Sequence, residues 1–187
     1  MVPPTIDPMK KTLFLILFSA VALHGVAQQW VTRTGEVHFL SETPIEDIEA
    51  TSKEASVILD LESGRVAAQV PILSFHFEKA LMEEHFNENY MESGTYPKAK
   101  FTGALRDFGG LPESGAVEVM VDGSFEVHGV SVDRPFTGTL EKQGDKVILN
   151  CRFDVRTEDH EIPIPSVVRD NIAEVIAVDI RAELSAR

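Results

Sequence analysis

Cysteine is almost missing from this 187-residue chain. Cys151 stands alone, so no disulfide can form within the chain and its stability has to come from an apolar core. Positive charge is scarce as well: 17 lysines and arginines face 30 aspartates and glutamates, a net charge of −13. That balance argues against nucleic acid as a partner and against electrostatic docking on anionic lipid headgroups. No apolar run approaches the roughly 20 residues that carry a helix across a bilayer, so a stable membrane anchor is not expected. The familiar catalytic signatures are also lacking. There is no Gly-x-Ser-x-Gly elbow, no His-Glu-x-x-His, no glycine-rich phosphate loop and no paired-cysteine metal site.

What is present starts with an export signal. Met9, Lys10 and Lys11 supply a basic start, residues 13–23 an apolar run of signal-peptide length, and Gly25-Val26-Ala27 the small residues a signal peptidase reads. The pattern predicts cleavage after Ala27, with Met9 as the true start, and places the mature chain in the periplasm or outside the cell. No cysteine lies near the cut, so a lipid-modified terminus is not expected. Residues 28–187 fit one domain. Losing residues 1–27, with two lysines and one aspartate, would take the charge to −14.

The remainder alternates. Val117, Val119, Val121, Gly123, Phe125 and Val127 are separated by mostly polar residues, among them Glu118, Asp122, Ser124 and Glu126. This period of two predicts a strand with one dry and one wet face. The pattern recurs at Val31, Gly35, Val37 and Phe39, at Val57, Leu59 and Leu61, at Ala99, Phe101, Gly103 and Leu105, and across residues 147–155. Near the end it falls on even positions, from Ile176 to Leu184. Ser63-Gly64, Gly109-Gly110, His128-Gly129 and Gly144-Asp145 punctuate it as turns. An all-β chain follows, an antiparallel barrel or sandwich. Charges at Glu118, Asp122, Glu126, Arg152 and Asp154 occupy the wet face, which a lipid-embedded barrel would not tolerate.

Two segments break the alternation. After Pro71 the large residues shift from Val66, Val70 and Ile72 to Leu73, Phe75 and Phe77, which predicts a bulge that bends the strand. Between residues 78 and 93, Leu81, Met82, His85, Phe86, Tyr90 and Met91 recur at helical spacing, with Gly94 placed to end the helix. Such a helix either plugs a core or covers a ligand.

Three stretches carry a resemblance. His85-Phe86-Asn87-Glu88-Asn89-Tyr90-Met91, then Tyr96-Pro97-Lys98-Ala99-Lys100-Phe101, then Gly123-Ser124-Phe125-Glu126-Val127-His128-Gly129-Val130 resembles, in order and spacing, the YceI-like lipid/polyisoprenoid-binding family. The resemblance implies an extended eight-stranded antiparallel lipocalin-like barrel with one flanking or lid helix. It further implies an elongated apolar tunnel for an isoprenoid, an isoprenoid quinone or another lipid, with no cofactor and no chemistry.

The residues allow the same reading, less sharply. A barrel of this size is either filled by side chains or holds one small ligand, and glycines, alanines and valines among the phenylalanines leave space beside the rings. The expected lining is Phe75, Phe77, Leu81, Phe86, Tyr90, Phe101, Phe125, Val127 and Phe153. A packed core is the bland alternative. The rival reading is a hydrolase-like or metal-dependent enzyme built on His76 and His85 with Glu78, Glu83 and Glu84. Cys151, on an apolar position, reads as a small core residue. Residues 162–168, Ile-Pro-Ile-Pro-Ser-Val-Val, read as a segment that covers one end of the barrel. Oligomeric state is not legible.

Overall fold

The computed structural model describes residues 29–187; the predicted signal segment and its cleavage point lie outside the described residues. Nine strands form in chain order: β1 Gln29–Glu42, β2 Asp47–Asp60, β3 Arg65–Pro71, β4 His76–Phe77, β5 Lys98–Arg106, β6 Ala116–Val127, β7 Val130–Gln143, β8 Lys146–Arg156 and β9 Val175–Ala186. Each long strand pairs antiparallel with its neighbours, and β1 pairs with both β2 and β9, so the sheet closes on itself. β4, two residues long, only extends the edge of β2. The result is a closed eight-stranded up-and-down barrel.

Strand parity sets the inside. On β6, Val119 and Val127 are buried; on β7, Phe136 and Leu140; on β9, Ala182 and Leu184. The parity read from sequence fails on β1. Trp30 is buried and Val31 is not, because the β1–β2 register slips between Thr32 and Gly35 and again between Gly35 and Val37. Each slip moves the dry face by one residue. The buried set of β2 shifts in step, from Ala50 and Ser52 to Ala55, Val57 and Leu59.

The predicted bulge at Pro71 is instead a break. Ile72–Ser74 form one turn of 3₁₀ helix, which ends β3 and starts β4 on a new line. Ser74 Oγ donates to the Pro71 carbonyl at 2.6 Å and lies 2.6 Å from the Ser52 hydroxyl, which is wholly buried. Leu73 consequently points outward, 63 % exposed.

The helix is shorter than its periodicity suggests. α1 covers Ala80–His85 and widens into a π turn over Phe86–Tyr90, where the Met91 amide donates to the Phe86 carbonyl at 2.9 Å. Glu92, at φ 42°, takes the left-handed position expected of Gly94. No side chain caps the start of α1; Glu83 reaches back and accepts from the Phe77 amide at 3.2 Å.

Two apolar clusters divide the interior. Trp30, Leu59, Leu140, Val147 and Leu184 pack the end of the barrel that carries the β7–β8 turn. Val37, Ala50, Val70, Ile72, Phe75, Met91, Ala99 and Val127 belong to the other end, where α1 and the long β8–β9 connection lie.

Candidate functional site

That second end is not filled. A cavity of about 420 Å³ opens there, within the range of small-molecule sites. Its wall is overwhelmingly apolar, built from inward positions of the strands, from α1 and its π turn, and from Ile162, Ile164, Val168 and Ile172 of the β8–β9 connection.

Phe75, Phe77, Phe86, Tyr90, Phe101, Phe125, Val127 and Phe153 all stand in this wall. The structure corrects the ninth expected lining residue. Leu81 lies on the solvent side of α1, 61 % exposed, while Met82 and His85 take the inner face. Helical spacing alone cannot distinguish Leu81 from Met82; the angle at which α1 leaves β4 decides it.

The rings are organised in two groups. Phe39, Phe75, Phe77 and Phe86 touch one another with centroids 5.1–5.9 Å apart under the helix. Phe101, Phe125, Phe136 and Phe153 form a second group at 5.1–6.4 Å, mostly edge to face. Phe101 both lines the cavity and packs on the closed-end cluster, which makes it the floor. Its ring lies across Gly103 and Gly123, directly opposed in the β5–β6 ladder. A Cβ on Gly123 would fall 2.4 Å from this ring. The glycines therefore do not leave open space beside a ring, as their sequence positions suggest; they leave the space that Phe101 fills.

Two of the motifs that carried the resemblance meet structurally at the rim. His128 and Gly129, at φ 52° and 76°, make the two-residue β6–β7 turn, and Tyr96 stacks on it with its ring 4.6 Å from His128. The turn is tied to the β8–β9 connection through two buried imidazoles, His128 of the turn itself and His160, a residue no sequence motif marks. His128 Nδ1 lies 3.3 Å from the His160 carbonyl, and His160 Nδ1 lies 3.0 Å from the Val130 carbonyl. Burial holds the His160 imidazole below its ordinary pKa, partly opposed by that carbonyl. His128 Nε2 is buried without a hydrogen-bond partner, 3.7 Å from a Glu92 carboxylate oxygen.

The polar constellation of the rival enzyme reading does not assemble. His76 is 74 % exposed and lies 3.5 Å from Glu83, the same carboxylate that accepts from the Phe77 amide. His85 reaches the cavity edge without them. Among the described residues no group of three or more His, Cys, Asp or Glu is placed to hold a metal ion. The Cys151 thiol, half-buried and donating to the Thr137 carbonyl at 3.3 Å, is pushed up to about 11 by burial, with Arg134 pulling the other way. It stays a thiol at neutral pH, the state in which it is a poor nucleophile.

A family model for the YceI-like domain matches residues 7–184. Among solved structures, a polyisoprenoid binding domain from Saccharophagus degradans implicated in plant cell wall breakdown superposes with a TM-score of 0.74 at 14 % identity, covering 85 % of this chain and 98 % of that one. BcnA of Burkholderia cenocepacia superposes at 0.68 and 15 % identity, covering 81 % and 96 %. The YceI protein of Campylobacter jejuni does so at 0.58 and 16 %, covering 76 % and 86 %. At such identities these likenesses bear on the fold. A search of curated protein sequences found no match.

Proposed function

The chain is a member of the YceI-like domain family, and from that premise we propose that it is an exported binding protein. It holds a long apolar molecule, an isoprenoid, an isoprenoid quinone or another lipid, inside the barrel and carries or sequesters it without transforming it. The supporting observation is the greasy cavity above Phe101, roofed by the π turn and by Ile162 and Ile164. The polyisoprenoid binding domain among the structural neighbours fits the same ligand class. Phe75, Phe77, Phe86, Tyr90, Phe101, Phe125, Val127 and Phe153 are the proposed contacts. Burying hydrocarbon yields about 0.8 kcal/mol per CH₂, so a few prenyl units supply affinity with no polar contact. The enzyme reading gains nothing from the site, since the histidines and carboxylates it needs are dispersed on the surface.

Organic extraction of the natively purified protein, followed by mass spectrometry, tests the proposal. A prenyl or acyl species at near-stoichiometric yield is expected. A blank from several expression hosts would contradict it.

A further inference from the structure

The barrel wall is not stitched along its full length. β7 and β8 pair from Gln143↔Lys146 only as far as Gly138↔Cys151. Beyond that point residues 130–137 of β7 face residues 152–156 of β8 with no ladder between them, and Pro135 on this stretch has no N–H to offer. The β8 side of the gap, Phe153 and Val155, stands in the cavity wall, while Arg134 and Phe136 of β7 lie behind it. Outside the lower end of the gap lies a polar groove lined by Thr137, Gly138, Cys151 and Arg152, and Ile180 belongs to both the groove and the cavity.

Three side chains bridge this stretch: Cys151 donates to the Thr137 carbonyl at one end, His160 Nδ1 lies 3.0 Å from the Val130 carbonyl at the other, and Arg134 stands between them. Arg134 sits opposite Gly123 on the inward parity of β7, two residues before the buried Phe136. Its guanidinium carbon lies 4.7 Å from the centre of the Phe136 ring and 5.6 Å from that of Phe153, which is in the cavity wall. One N–H donates across the gap to the Asp154 carbonyl at 2.7 Å. Among the described residues no carboxylate lies within ion-pair distance of it, in a chain whose formal net charge is −13. An arginine stacked on aromatic rings, with donors left over and no anion beside it, is built to receive one.

We propose that Arg134 is the headgroup station of the barrel. The apolar tail lies in the cavity, and an anionic head, a carboxylate or a phosphate monoester, sits in the β7–β8 gap against this guanidinium. The inference rests on the lipid-binding reading and narrows it to acidic amphiphiles. A neutral head gains no ion pair here.

The test pairs ligands that share a tail and differ in the head: oleate with oleyl alcohol, and farnesyl phosphate with farnesol. Each is titrated at monomeric concentrations into wild type, Arg134→Met and Arg134→Lys, with circular dichroism reporting the fold. The acidic member of at least one pair is expected to bind wild type tenfold or more tightly than its alcohol. Arg134→Met should erase the difference while leaving alcohol binding within about twofold, and Arg134→Lys should keep part of it. Which pair discriminates identifies the head as carboxylate or phosphate. If acid and alcohol bind wild type equally, or if Arg134→Met weakens both alike, the headgroup site is overturned and Arg134 only braces the gap, with the lipid-binding reading intact. If no ligand of either pair binds, the lipid-binding reading fails first.

Discussion

At the scale of single residues, the depth of the site is set by where one phenylalanine lies. Phe101 can lie flat because Gly103 and Gly123 carry no Cβ beneath it. Gly123→Ala would put a methyl 2.4 Å from the ring, and the ring can yield only upward into the cavity. Overpacking of this kind costs about 1–3 kcal/mol of stability. The expected functional result is that the longest ligand bound by the variant is shorter than for wild type, read from a series of isoprenoid alcohols; an unchanged length limit would place the floor elsewhere. Phe101→Asp or Phe125→Asp puts a carboxylate into the greasy wall and should abolish lipid retention, with circular dichroism separating lost binding from lost fold. Most lining residues were legible from sequence because strand parity places them. Leu81 was misplaced because a short helix offers no parity. Arg134 is not legible from sequence, because a single polar residue on an apolar stripe carries no signal apart from the broken ladder beside it.

At the scale of elements, the break after β3 matters most. Pro71 marked it, yet a bulge and a 3₁₀ turn leave similar traces in sequence, and only the turn carries Ser74 under β2. The Ser52 and Ser74 hydroxyls bond to each other in a buried place. Because Ser74 donates to the Pro71 carbonyl, Ser52 is the donor of the pair, and Ser74→Ala leaves its O–H without an acceptor while its oxygen keeps the Glu54 amide at 3.2 Å, at a cost of about 1–3 kcal/mol in denaturant unfolding. Adding Ser52→Ala should recover part of that loss; a double variant whose cost equals the sum of the singles would mean the pair does not interact. The helix was legible as a helix, its widening into a π turn was not. The signal lies in backbone strain at Glu92, and no local composition announces it. The covering role of residues 162–168 was legible, since alternate isoleucines held by prolines suit a strap over an apolar mouth; Ile162 and Ile164 face in while Val167 stays 88 % exposed.

At the scale of the whole molecule, the barrel has a sealed half and a hollow half, and the rim of the hollow half is fastened by His128 and His160. The His160 imidazole is held below its ordinary value of 6.5 by burial. The unfolded chain therefore takes up the proton first as pH falls. Stability from this residue is whole above about pH 6.5 and drains away as pH drops through the lower folded-state value. The melting temperature should fall across that interval, and His160→Gln, less stable at pH 7, should show a smaller fall; an equal fall in both would assign the effect to other groups. Strand count and turn spacing leave barrel and sandwich open; closure into a barrel follows from the family resemblance. The division into two halves was not foreseeable, because most of the long strands contribute to both and the boundary is a matter of ring orientation.

The most direct measurement is a crystal structure of the protein purified without denaturation from its native host. Continuous tube-like density is predicted between the Phe101 ring and the isoleucines of the β8–β9 connection. Rings closed on one another with no room between them would contradict the account.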